Sequence, residues 1–165
     1  MEAAVLSGPR ESAPCRVKLV TILRRPAVLL AMAPTRYFVP VSEWSDPRHV
    51  LGLGGEHLAM AYLTACGWSI EAHRFRCAGH DVDVVARKDR IVAFVEVKTR
   101  VHPAPDEPLA AINYRKQRAI ARVAECWRLR FGRRDDEYQF DVITITGKGA
   151  DRCIEHVGDA WRLTR

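Results

Sequence analysis

The chain lacks the marks of several common functions. Its five cysteines among 165 residues are an odd number and include no CxxC pair. A disulfide framework is therefore not expected, and free thiols in a reducing compartment, the cytoplasm, are. The histidines are scattered without zinc-like spacing, which argues against a zinc site. No apolar run approaches the roughly 20 residues of a membrane span. Residues Arg24 to Ala33 have basic residues, a short apolar run and small residues, as a signal peptide does. The basic residues begin late and the apolar run is minimal, so export is disfavoured. Leu51 to Gly55 is glycine-rich but lacks a preceding strand and the G-x-G-x-x-G spacing, so it is not a phosphate cradle. No Ser/His/Asp elbow and no cysteine nucleophile signature is present.

Acidic charge is also in deficit. Twenty Asp and Glu face 26 Lys and Arg, a net charge of +6. That favours an anionic partner, of which nucleic acid is the usual one. Hydrophobic residues make up 48%, enough for a real core in one domain.

Residues 1–45 differ from the rest. They hold five of the nine prolines and no sustained period. They read as a disordered extension, or as the result of a start placed too early, with Met32 as one alternative. The ordered domain is assigned to 46–165.

Within it, Gly52 to Cys66 reads as a helix, with Ala59, Tyr62, Leu63 and Cys66 on one stripe and Gly67 as its stop. Trp68 to Arg74, Asp81 to Arg87 and Ile91 to Arg100 read as strands. His102 to Pro108 is a proline-rich loop. Leu109 to Phe131 reads as a long helix, followed by strands Gln139 to Thr146 and Cys153 to Val157. This order gives an α/β sandwich around a mixed sheet. The long helix carries Arg115, Lys116, Arg118 and Arg122, a basic face suited to a phosphate backbone.

The chemistry concentrates in Asp81-Val-Asp83 and Glu96-Val-Lys98. Strand alternation places Asp81 and Asp83 on one face and Glu96 and Lys98 on one face. Either a two-residue or a four-residue connection keeps all four on the same side of the sheet. Like charges opposed on a sheet are unfavourable, and a hard divalent cation such as Mg²⁺ offsets that cost. Glu56 lies on or beside the apolar stripe of the first helix. It reads either as a first-turn glutamate favoured by the helix dipole or as an acid aimed at the metal face.

Asp83, followed after twelve residues by Glu96-Val-Lys98, resembles the Asp…(Asp/Glu)-x-Lys signature of restriction-endonuclease-like enzymes. Gly54-Gly55-Glu56, His80 to Ala86, Phe94 to Arg100, Lys116 and Phe140-Asp141-Val142 resemble the YraN family of predicted endonucleases, over residues 50–161. The same arrangement of a helix acid, Asp and Glu-x-Lys also resembles archaeal Holliday-junction resolvases. The resemblance implies a restriction-endonuclease-like sandwich, a central mixed β-sheet flanked by helices. It also implies Mg²⁺- or Mn²⁺-dependent hydrolysis of DNA, of branched or damaged form. Asp83, Glu96 and the Val97 carbonyl would bind metal. Lys98 would position water or stabilise the transition state, and Glu56 would complete the acidic cluster. Arg100 and the basic residues of the long helix would contact DNA. The family pattern has Gly-Glu where this chain has His80 and Asp81. A non-catalytic nucleic-acid-binding module and an interaction subunit are the competing readings, and a homodimer is compatible with an enzyme that cuts two strands.

Overall fold

The computed structural model describes residues 15–18, 47–100 and 112–162. The expected proline loop, His102 to Pro108, and Leu109 lie outside the described residues. The elements are β1 (Cys15–Lys18), α1 (Pro47–Ala65), β2 (Ser69–Cys77), β3 (His80–Lys88), β4 (Ile91–Arg100), α2 (Tyr114–Phe131), β5 (Glu137–Thr146), a 3₁₀ turn (Gly149–Asp151) and β6 (Cys153–Val157). The strands form one sheet in the order β1-β6-β5-β4-β3-β2. β4 and β5 run parallel, joined across α2, and the other neighbours are antiparallel. β1 pairs with β6 from within the stretch read as an extension and adds a sixth strand at the edge.

α1 ends where its sequence stops it. Gly67 takes φ +86°, the Gly67 N–H bonds the Thr64 carbonyl and the Trp68 N–H bonds the Leu63 carbonyl, both at 3.0 Å. This is a Schellman cap, which needs a residue that tolerates positive φ. α2 begins later than its apolar period suggests. Asn113 is extended (φ −69°, ψ 161°) and its side chain accepts the Lys116 N–H at 3.0 Å. An asparagine that caps in this way terminates the helix on its N-terminal side.

The two helices cover opposite faces of the sheet. Tyr62 and Leu63 of α1 pack with Val84, Ala86, Ala93, Val95, Ile143 and Ile145. Ile120, Val123 and Trp127 of α2 pack with Val82, Val85, Val92, Phe94 and Val142. Full burial of such side chains contributes roughly 1.5–3 kcal/mol each. This is the α/β sandwich of restriction-endonuclease-like proteins, a mixed sheet between two helical layers.

Two expectations require correction. Strict alternation along β3 fails around Asp83, because Val82 and Val85 both pack on the α2 side while Val84 packs on the α1 side. The cysteines are not all free thiols either. Cys77 and Cys126 form a disulfide with Cα atoms 6.4 Å apart, inside the range such bonds span. The β2–β3 hairpin lies across α2, and that docking brings together residues 49 apart in sequence. Among the described residues, no helix is long and apolar enough to cross a membrane.

Candidate functional site

The site forms where two strands separate. The β3–β4 ladder runs from Lys88↔Ile91 to Val84↔Val95 and stops there. The turn is two residues, Asp89-Arg90, with Asp89 at φ +54°. Beyond Val84, β3 stays with β2 as far as His80↔Cys77, and β4 stays with β5 as far as Arg100↔Thr146. Asp83 sits in this fork. Its Oδ2 accepts the Val97 backbone N–H at 2.8 Å. The N–H and C=O of one strand residue point the same way, so the Val97 carbonyl also faces the fork.

Asp83 is costly to ionise there. Burial, then the negative charges of Glu96 and Glu56, push its pKa up to about 8 against the opposing pull of the Val97 N–H and Lys116. Glu96 is 2% exposed. Its Oε1 accepts from Lys98 Nζ at 2.6 Å. Its Oε2 is buried and lies 3.2 Å from Lys116 Nζ, an ion pair. Lys116 Nζ also stands 3.7 Å from Asp81 Oδ1. Burial pulls the Lys116 pKa down, while Glu96, Asp83 and Asp81 more than reverse this, so it stays a firm cation.

Glu56 answers its open question in a third way. α1 starts at Pro47, so Glu56 is not in the first turn. It is buried, and its oxygens accept Arg74 Nε and Arg74 Nη2, both at 2.8 Å, with His73 Nε2 at 2.6 Å. Burial alone would raise its pKa, but Arg74 and His73 hold it below the ordinary carboxylate range. Arg74 reaches Glu56 from a left-handed backbone, φ +51° inside β2, a conformation that costs a non-glycine residue free energy. The glycine before Glu56 is a packing requirement. A Cβ on Gly55 would meet Thr99 Oγ1 at 1.8 Å, so α1 approaches β4 closely next to Lys98.

A metal fits the donor set in a limited way. Among the described residues, no group of three His, Cys, Asp or Glu side chains is arranged to cage an ion. The fork instead offers Asp83, the Val97 carbonyl and Glu96. Two carboxylates, a carbonyl and waters suit Mg²⁺, which keeps several waters and rarely takes an all-protein cage.

The basic residues divide. Lys116 turns into the acidic cluster, whereas Arg115, Arg118 and Arg122 are exposed beside it. With His80 and Tyr114 they line a cleft of about 650 Å³. Arg100, at the end of β4, does not line this cleft. Sequence reasoning missed that Lys116 belongs to the carboxylate cluster and that Arg74 and His73 hold Glu56. It named Asp141 only within the family resemblance and gave it no role; the residue is fully buried. Asp141 accepts from His156 at 2.8 Å, Gln139 at 2.9 Å and the Asp159 N–H at 3.0 Å. An acid within the apolar run Phe140 to Ile143 was the available signal for it.

The model of the uncharacterised protein family UPF0102 matches residues 55–145, which span Glu56, the fork, Lys116 and Asp141. A UPF0102 protein of Geobacter sulfurreducens is 42% identical over 126 residues, covering 76% of this chain and 98% of that protein. One from Chlorobium phaeobacteroides is 37% identical, covering 72% of this chain and 97% of that protein. One from Nitratidesulfovibrio vulgaris is 34% identical, covering 72% of this chain and 89% of that protein. With a family match across more than half of its length and relatives aligned over nearly their whole length, the chain belongs to the UPF0102, or YraN, family.

Proposed function

We propose that the chain is a metal-dependent nuclease that hydrolyses phosphodiester bonds of DNA, including branched or damaged structures met in repair or recombination. The observation that carries this reading is the strand fork, where the carboxylates of Asp83 and Glu96 lie close enough for the charge of Glu96 to push the Asp83 pKa up, beside two lysines. Like charges held this close are costly, and a cation ligand is the partner their chemistry calls for.

Asp83, Glu96 and the Val97 carbonyl would hold Mg²⁺ or Mn²⁺, which when bound supplies Lewis acidity towards a phosphoryl oxygen and lowers the pKa of water. Lys98 and Lys116, each about one-third exposed, balance the carboxylates in the metal-free chain. With that charge otherwise balanced, both ammonium groups are available to the negative charge that builds on the phosphate during attack. Glu56, already paired with Arg74 and His73, contributes negative potential at Asp83. Arg115, Arg118 and Arg122 supply cations for the flanking phosphates.

One observation favours a second reading. Lys98 and Lys116 already neutralise Glu96, as a non-catalytic nucleic-acid-binding module that keeps the fold would require. Incubation with branched, flapped, single-stranded and duplex DNA separates the two. The nuclease cuts with Mg²⁺ or Mn²⁺, and loses cleavage in chelator or as Glu96→Ala with its fold retained. Salt-sensitive binding without cleavage of any substrate supports the module instead.

A further inference from the structure

We propose that Tyr114, held by Arg118, is a stacking subsite for an unpaired base of a DNA strand entering the Asp83–Glu96 fork. The inference rests on the nucleic-acid reading above for the identity of its ligand. Tyr114 is 63% exposed, one of two large hydrophobic side chains so placed among the described residues. The other, Leu129, lies near the far end of α2. Tyr114 stands at the first position of α2, and the Arg118 guanidinium carbon lies 5.9 Å from its ring centroid. That is one helical turn on, where i and i+4 side chains meet. A cation over the ring fixes its orientation and leaves aromatic surface open to a ligand.

The surroundings specify that ligand. Tyr114 lines the cleft with His80, Arg115, Lys116, Arg118 and Arg122, and among the described residues no carboxylate lines it. Such a surface follows a phosphate backbone. Lys116 connects it to the site, since its Nζ is 3.2 Å from Glu96 Oε2. A backbone bound along the cleft therefore leads to the fork. Phosphate contacts alone would not distinguish duplex from single strand, but an exposed ring does. A duplex keeps its base faces in the stack, whereas an unpaired base offers one to an aromatic platform.

The test is fluorescence anisotropy of two labelled DNAs, a fork with single-stranded arms and a blunt duplex of equal length. Both are titrated with the full chain in chelator, so that nothing is cut. Wild type is expected to bind the fork more tightly. Tyr114→Ala is expected to lose on the order of tenfold in fork affinity, the loss of about one stacked base, with duplex affinity unchanged and Tyr114→Phe close to wild type. Equal fork and duplex binding by wild type overturns the subsite, and so does an equal loss for both DNAs in Tyr114→Ala. Either outcome leaves the nuclease reading standing. Failure of wild type to bind either DNA also overturns the subsite, while the nuclease reading is decided separately by cleavage with Mg²⁺ or Mn²⁺.

Discussion

Asp83 Oδ2 takes the Val97 backbone N–H at 2.8 Å, where a continuing β3–β4 ladder would have offered a backbone carbonyl. The substitution lets the strands part without leaving that N–H unpaired, and it places a carboxylate where Glu96 and Glu56 disfavour its charge. The site is thus built against stability, as functional sites often are.

A pH dependence follows. The folded pKa of Asp83, about 8, lies above the ordinary 3.8. The folded state therefore binds the proton more tightly than the unfolded one, and this contribution to stability is lost as pH rises from about 4 to about 8. In chelator, Asp83→Asn is expected to raise Tm at pH 8 and to have little effect at pH 4. Each kcal/mol relieved is worth roughly 3 °C for a chain of this size. A lower Tm at pH 8 would show that the carboxylate is not strained there.

The far end of the sheet behaves in the opposite sense. Arg87 is buried and bonds both Glu71 and Asp136. Arg87 holds the Asp136 pKa at about 2 despite burial. That contribution is present above about 4 and is lost as pH falls towards 2. Arg87→Ala leaves Asp136 with only the Arg133 N–H and the Tyr138 hydroxyl, and Glu71 with only the more distant Arg133, and should cost roughly 1.5–3 kcal/mol in urea denaturation. A loss below about 1 kcal/mol, the scale of a surface pair, would contradict this.

Gly55 and Thr99 form a tight contact that can be tested as a pair. Gly55→Ala places a methyl 1.8 Å from Thr99 Oγ1 and should destabilise by about 1–3 kcal/mol. Adding Thr99→Ala should recover part of that loss. Strict additivity of the two changes would place the cost elsewhere.

The Cys77–Cys126 disulfide ties the β2–β3 hairpin to α2 across a separation of 49 residues. By loop-closure entropy, Cys126→Ser should lose up to about 4 kcal/mol relative to the oxidised chain. The loss should match that caused by reducing wild type. Alkylation of both thiols in the native, unreduced chain would show that the bond is absent.

The parts of the site legible in sequence were those fixed by local rules. Asp83 and the Glu96-Val-Lys98 step stand out because carboxylates and a lysine interrupt apolar strands, and Gly67 marks the end of α1 because a Schellman cap needs positive φ. The basic face of its helix makes Lys116 look like a backbone contact. Only the docking of α2 across the sheet brings its Nζ to Glu96 and Asp81. Arg74 reaches Glu56 through an unusual φ that no propensity announces, and the Cys77–Cys126 pairing depends on the same tertiary docking. The apolar period running back to Leu109 hides the Asn113 cap, so the true start of α2 does not show in the sequence.

The most direct measurement is hydrolysis of a labelled forked DNA in Mn²⁺ by wild type and by Glu96→Gln, an isosteric change that removes the charge. The account predicts cleavage by wild type and at least a hundredfold loss, about 2.7 kcal/mol of transition-state stabilisation, in Glu96→Gln at unchanged Tm or higher. Equal cleavage by the two proteins would contradict it.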